Sequence, residues 1–258
     1  MMNNLRRMFC GVALLTLVAA AVQAEESAPK AKRGIDPQAE KMLRQMADYL
    51  ASLKSFKVRS ASVDEMVTTA GQKVQLASES QVYVQRPNRL RSQQVGAANG
   101  MGFWYDGKNM TLTCPSSKTY ATVPAPATLD ATIDAARKKF QIEAPGADLL
   151  YSRPYEILTE QVTGGRFVGR ETIDGVAVNH LAFTGEEVDW QIWIQEGQQP
   201  LPLRFVITTK TIKSQPEFTV QLSEWEPQAS LSESTFAFQA PSEATRVQAF
   251  NSSCATTP

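Results

Sequence analysis

Few residues in this 258-residue chain could do chemistry. His180 is the single histidine. A two-residue turn at Gly185-Glu186 would set Asp189 diagonally across from it on one face of a strand pair. A His–Asp pair is two-thirds of a hydrolase triad. No serine stands in a G-x-S-x-G setting and no cysteine is tied to the pair, so it reads as a histidine held by a cross-strand carboxylate. Asp64 and Glu65 are adjacent, and neighbours on a strand point to opposite faces, which argues against a cooperating carboxylate pair. One histidine and well-separated cysteines make no metal site. Neither a Walker loop nor a G-x-G-x-x-G is present, so no motif supports a nucleotide cofactor. Arg86, Arg89 and Arg91 form a basic cluster at a strand end. They read as solvated, although Arg89 and Arg91 share a face that could meet a lipid headgroup. The expectation is a protein that is not an enzyme and uses no metal or cofactor.

The compartment follows from the first residues. Arg6 and Arg7 precede an apolar run, Met8 to Val22, too short to span a bilayer comfortably, and Val22-Gln23-Ala24 supplies small residues at the minus-three and minus-one positions. This is the plan of a signal peptide over residues 1–24, cleaved after Ala24. The mature protein is then periplasmic and not membrane-spanning. Loss of Arg6 and Arg7 takes the 26 basic residues to 24 against 26 acidic ones, a balance of about −2. With no basic excess, nucleic acid is not an expected partner. Cys114 and Cys254 remain after cleavage. An oxidising compartment allows a disulfide between them, closing a loop of about 140 residues and stabilising by roughly 4–5 kcal/mol in the loop-entropy picture. Two free thiols are the other possibility.

The chain then divides into a polar linker at 25–34, one domain at 35–250 and a small-residue flexible tail at 251–258. Asp36 and Pro37 supply an N-cap and a first-turn proline. Ala39, Met42, Leu43, Met46, Leu50 and Leu53 follow helical spacing to about Lys54. The period then becomes two. Strands are expected over Val58–Thr68, Val74–Gln85 and Arg89–Val95, with a turn at Ala70-Gly71. A second helix runs from Thr128 to Gln141, followed by a loop or short helical turn at Leu149-Leu150. Further strands are expected over Tyr155–Val162, Phe167–Ile173, Val176–Thr184, Val188–Gln195, Leu203–Thr211 and Glu217–Trp225, with turns at Gly164-Gly165 and Asp174-Gly175 among others. About twelve strands joined by short turns must pair antiparallel, and a sheet that long must coil or close. Two helices are its cover.

Between them lies "GFWYDGKNMTLTCPSSKTYATV", Gly102 to Val123. A turn at Asp106-Gly107 pairs Phe103 with Met110, and a turn near Ser116-Ser117 pairs Cys114 with Thr119 and Leu112 with Ala121. Met101, Phe103, Tyr105, Met110, Leu112, Cys114, Ala121 and Val123 then share an apolar face, with Trp104 and Tyr120 on the other. Downstream, Leu181, Phe183, Val188, Trp190, Ile192 and Ile194 share an apolar face, with His180, Asp189 and Trp193 opposite. Such faces are either a filled core or the lining of a dry cavity suited to acyl chains, worth about 0.8 kcal/mol per buried methylene.

The stretches "FWYDGKNMTLTCPSSKTYATV" and "NHLAFTGEEVDWQIWIQEGQQPLPLRFVITTK" resemble those of a family of predicted periplasmic proteins of unknown function. That family is similar in turn to the LolA/LolB-like lipoprotein-localisation superfamily. The likeness covers roughly Asp36 to Phe238. It implies an α+β fold of the LolA-like kind, a strongly curved antiparallel half-barrel of about 10–12 strands with helices covering the concave face. It also implies a non-catalytic periplasmic protein that binds a lipid or lipoprotein acyl chain in a hydrophobic cavity. The expected lining is Phe103, Tyr105, Met110, Leu112, Trp190, Ile192, Phe205 and Phe218. The alternative is an envelope protein–protein interaction or sensor module with a filled core and an envelope protein as partner, using outer-face Trp104, Tyr120 and Trp193.

Overall fold

The structure, a computed structural model, describes residues 34–95, 101–142 and 144–248. The expected signal peptide, all of the expected linker but Gly34, the loop at Ala97–Gly100, and Cys254 with the rest of the expected tail lie outside these residues.

The first helix, α1 (Pro37–Ser52), starts where its residue types dictate: the Asp36 carboxylate accepts from the Gln38 amide at 2.8 Å and Pro37 opens the first turn. Its stripe Ala39, Leu43, Met46, Ala47 and Leu50 is buried, each large side chain contributing about 1.5–3 kcal/mol. Gly34, the last residue of the expected linker, joins Ile35 in a short strand, β1 (Gly34–Ile35). After α1 come β2 (Ser55–Val67), β3 (Lys73–Gln85), β4 (Arg89–Val95), β5 (Gly102–Tyr105), β6 (Asn109–Cys114) and β7 (Thr119–Pro124). The second helix, α2 (Leu129–Phe140), is capped by Thr128, ends on left-handed Gln141, and carries Arg137, Lys138 and Lys139 in its last turn, where they suit the helix dipole. A 3-10 turn at Ala147–Leu150 leads into α3 (Pro154–Thr159). The second run of strands is β8 (Val162–Ile173), β9 (Val176–Gly185), β10 (Val188–Gln195), β11 (Pro202–Thr209) and β12 (Glu217–Pro227), followed by α4 (Glu233–Phe236) and β13 (Thr245–Arg246).

The described strands form one open sheet in the order β1-β8-β9-β10-β11-β12-β2-β3-β4-β5-β6-β7-β13. Two antiparallel meanders, β2–β7 and β8–β12, are joined where β12 pairs with β2. The result is a half-barrel with α1, α2 and α3 on its concave side, while α4 meets the outward-facing Arg89 and Arg91 of β4. The sheet is not wholly antiparallel, because β1 joins β8 and β13 joins β7 in parallel. These two-residue strands raise the number to thirteen and come from the two ends of the described chain. Each covers an edge that would otherwise present unpaired backbone groups.

Four expectations need correction. Tyr155–Val162 is not a strand: Pro154 opens α3, and Tyr155, Leu158 and Thr159 are buried at helical spacing. The Tyr155 hydroxyl reaches Glu40 of α1 at 2.9 Å. Gly164-Gly165 is not a turn but part of β8, beside β1. A side chain at Gly165 would come within 2.4 Å of the Phe183 ring, so glycine there permits close approach rather than a bend. The hairpin turns expected at Asp106-Gly107 and Gly185-Glu186 each sit one residue further on. Tyr105 pairs with Met110 and Phe103 with Leu112, while Phe183 pairs with Trp190 and Leu181 with Ile192. In the first turn the Asp106 carboxylate accepts from the amides of Lys108 and Asn109 at 2.8 and 2.7 Å, which moves the bend onto left-handed Gly107 and Lys108. The pairing shifts by two, and a shift of two keeps every side chain on its face. The turn after Cys114 has the expected register.

Candidate functional site

Rows of opposed residues cross the concave face. One runs Leu181, Ile192, Phe205, Val220, Ser62, Ser78. The next, toward the β2–β3 turn, runs Phe183, Trp190, Ile207, Phe218, Asp64, Leu76. In both, the β9–β10 end is buried, while Leu76 at the far end is 45% exposed. At the opposite end of β2–β6, the row Phe56, Val84, Leu90, Tyr105, Met110 is buried throughout. Between the two apolar corners lies a polar band: Ser60 and Ser62 on β2 face Ser80 and Ser78 on β3, with Ser92 on β4 beyond, all half-buried. The hydroxyls of Ser62 and Ser78 bond at 2.9 Å.

The eight expected lining residues separate on this map. Tyr105, Met110, Leu112, Trp190, Ile192 and Phe205 are buried in the packed corners. Trp190 stacks on Phe183 at 4.0 Å and meets Phe205 edge-on at 5.7 Å. The Tyr105 hydroxyl donates to the Pro126 carbonyl at 2.7 Å, and burial raises its pKa. The turn at left-handed Gly146 lies over Phe205 and Val220, so close that a β-carbon there would be about 4 Å from each. Phe103 and Phe218 are different. They are half-buried, Phe218 opposite Ile207 and Phe103 opposite Ser92, at the border of the band. The partly open surface is therefore Val82, Phe103, Ile207, Phe218 and Leu76 together with the serines. Sequence reasoning does not single out the serines. Their alternation in "RSASVD" and "ASESQV" is the signal that marks them.

His180 does not meet Asp189. Its Nδ1 is 2.7 Å from Glu171 Oε1, its Nε2 is 3.0 Å from Gln191 Oε1, and its ring stacks on Trp193 at 4.0 Å. The Trp193 indole donates to Glu171 at 2.9 Å, and with the histidine contact it lowers the Glu171 pKa. Asp189 lies opposite Thr184 and pairs with Lys210 at 3.0 Å. The histidine is thus held by a carboxylate from β8, the neighbour of β9 on the side away from Asp189, and this cluster occupies the outer face. The arginine cluster also disperses. Arg86 donates to the Leu150 carbonyl at 2.7 Å, and burial lowers its pKa. Arg89 pairs with Glu233, and Arg91 reaches Gln93 and the Thr235 carbonyl. Glu65 pairs with Lys73. Cys114 is disulfide-bonded, and Cys254 lies outside the described residues. Of the outer aromatics, Trp104 and Tyr120 are each covered by Phe238, at 5.1 Å between ring centres. Among the described residues no group of three or more histidines, cysteines or carboxylates could hold a metal, and no helix is long and apolar enough to cross a membrane.

The family described as "Predicted periplasmic protein (DUF2092)" matches residues 39–250, which include every strand from β2 onward and both apolar corners. The chain belongs to that family. In this member of the predicted periplasmic family, the match begins inside α1, just after the cap that starts it. No curated protein matches the chain significantly. Among solved structures it is similar to an uncharacterized conserved protein from Thermus thermophilus, with 13% identity and a TM-score of 0.49 over 82% of this chain and 99% of that one. It is similar to the Mycobacterium tuberculosis lipoprotein LppX, with 17% identity and a TM-score of 0.45 over 74% and 96%. A LolA superfamily protein from Nitrosomonas europaea aligns at 13% identity and a TM-score of 0.42 over 78% and 97%.

Proposed function

We propose that this protein is an exported, non-catalytic binding protein that shelters an acyl chain of a lipid or lipoprotein on the open part of its concave face. The supporting observation is the fall in burial along the inner rows. Phe218, Ile207, Val82 and Phe103 keep part of their surface, and Leu76 at the end of the same face is 45% exposed. An acyl chain laid there gains about 0.8 kcal/mol for each methylene it removes from water. The packed corners at Phe205 and Tyr105 form the wall and floor of the site. Export through a signal peptide cleaved after Ala24 places such a protein between two membranes, where shielding apolar groups is useful without chemistry. The outer-face aromatics favour this reading over an interaction module, because Trp104 and Tyr120 are engaged by Phe238 and Trp193 by His180.

The test is native mass spectrometry of gently purified protein together with uptake of a fluorescent fatty acid. A co-purified lipid, or saturable uptake, is expected. Absence of both overturns the proposal.

A further inference from the structure

The two lateral edges of the sheet are covered, that of β8 by β1 and that of β7 by β13. A third edge differs. β3 pairs with β2 along its whole length, but its last pair with β4 is Glu79 with Val95. Among the described residues no strand pairs with the other side of residues 73–78. The β2–β3 ladder fixes which backbone groups this leaves. The Thr68 amide donates to the Gln72 carbonyl at 2.9 Å and the Arg86 amide to the Lys54 carbonyl at 2.8 Å, so the even-numbered residues of β3 turn their N–H and C=O toward β2. Those of Lys73, Gln75 and Ala77 point outward from the edge. Sheets commonly blunt such an edge with charges, proline or a bulge. Here the register with β2 is unbroken, and Val74 to Ser78 carries neither charge nor proline. Val74 and Leu76 face the concave side, and Leu76 is 45% exposed.

A second copy of this edge is its complement. With Gln75 set antiparallel opposite Gln75 of the second copy, Lys73 falls opposite Ala77 and Val74 opposite Leu76. The odd-numbered pairs are of the hydrogen-bonded kind, each exchanging two N–H···O bonds. Every outward backbone group of Lys73, Gln75 and Ala77 on both copies then gains a partner. The even-numbered pairs are of the closer kind, with α-carbons about 4.5 Å apart, and set Val74 against Leu76 twice on the concave side. On the convex side Lys73 lies diagonal to Glu79 of the second copy, and no like charges are opposed. Centring the pairing on Leu76 instead would set Lys73 opposite Glu79, whose outward side is already taken by Val95. The Gln75 register ends at Ala77, short of β4.

We propose that the chain forms a two-fold dimer through antiparallel pairing of residues 73–77 with the same residues of a second copy. This goes beyond the acyl-chain reading and does not depend on it. The dyad stands perpendicular to the joined sheet, so the two concave faces lie on the same side and meet at Val74 and Leu76. An interface of this length is at the small end of the range, so the dimer is reversible and its population rises with concentration.

Sedimentation equilibrium and hydrogen exchange on the full exported chain, each over a dilution series, test this. Wild type is expected to pass from dimer to monomer on dilution. The amides of Lys73, Gln75 and Ala77 are expected to exchange about ten-fold or more slowly at the concentrated end, while those of Val74 and Leu76, bonded to β2 in either state, are unchanged. Gln75→Pro deletes the central amide, which an outward-facing edge position tolerates. Gln75→Lys opposes two ammonium groups across the dyad. Both variants are expected to be monomeric, with the urea midpoint of dilute wild type. Wild type that stays monomeric up to its solubility limit overturns the proposal. So does a dimer that survives Gln75→Lys, or one whose protection does not alternate between odd and even residues. Slow exchange of the odd amides at every dilution also overturns it, because another part of the chain would then cover the edge. The wild-type series needs no substitution, so it remains decisive if Gln75→Pro misfolds.

Discussion

The corner of the concave face at β9–β11 and the far end of β2–β3 lie on the same rows of the same sheet, yet they are built differently. At the first, Leu181, Phe183, Trp190, Ile192 and Phe205 interlock at 5% exposure or less under the turn at Gly146. At the second, the same rows continue as Ser62, Ser78, Asp64 and Leu76, half-buried or exposed. Strands of thirteen residues carry β2 and β3 out to that end. A sheet that needed only to be stable would match its apolar length to its cover. Here the excess is concentrated at one end and lined with hydroxyls and scattered apolar groups. One half of the face therefore serves the fold, and the other is where the proposed acyl chain would lie.

Substitution should separate the two halves. Phe205→Ala removes a ring from the packed corner and should cost about 3–5 kcal/mol by the usual transfer and cavity losses, read as a lower midpoint in urea unfolding. A cost below about 1 kcal/mol would mean that the corner already borders empty space, and the contrast would collapse. In the band, Ser62→Ala removes one hydroxyl of the 2.9 Å pair. Since the Ser78 hydroxyl can turn to water, the cost should be about 1 kcal/mol or less. A loss of about 3 kcal/mol, the scale of an orphaned buried polar group, would show that the band is core.

How far the sequence discloses this contrast depends on the range of the interaction involved. Face membership is readable because it rests on a period of two, and it survives two misplaced turns whose errors are both a shift of two. The turn positions are not readable from Asp-Gly alone, because the Asp106 carboxylate caps amides two and three residues later and draws the bend along. Helix α3 escapes a local reading because Tyr155, Ile157 and Leu158 fit a strand as well as a helix, and what decides is the contact of Tyr155 with Glu40, 115 residues away. The partner of His180 escapes it for a different reason: Glu171 and Asp189 are equally near in sequence and lie on the two strands that flank β9, so spacing alone does not choose between them. Of the expected lining, the sequence identifies apolar inward-facing positions but not which of them are covered. Coverage depends on the Gly146 turn and the helices, and no local pattern encodes where those come to rest.

At the open end, Leu76→Asp should change stability by no more than about 0.5 kcal/mol, as for other exposed positions. It should nevertheless weaken uptake of a fluorescent fatty acid by about ten-fold or more, because it puts a charge where an acyl chain would lie. Lost uptake with unchanged unfolding would sharpen the division between the halves, while unchanged uptake would move the site elsewhere on the face.

The smallest effect is expected on the outer face. The Glu171 pKa is lowered by the Trp193 indole first and by His180 after it. A carboxylate whose folded pKa lies below its unfolded one contributes stability that is complete above the unfolded value. That contribution fades as pH falls below about 4.5 and through the lower folded value. Wild-type stability should therefore drop on acidification in that window, and Glu171→Gln should show a shallower drop there at the cost of a somewhat lower plateau near neutrality. Because Glu171 is itself exposed, the difference should be small beside that of Phe205→Ala. Fatty acid uptake by Glu171→Gln should match wild type at neutral pH, since the cluster lies on the side of the sheet away from the proposed site. A variant that lost uptake while keeping its unfolding midpoint would show that the two faces are coupled through the strands. The division would then have to be drawn through the thickness of the sheet as well as along it.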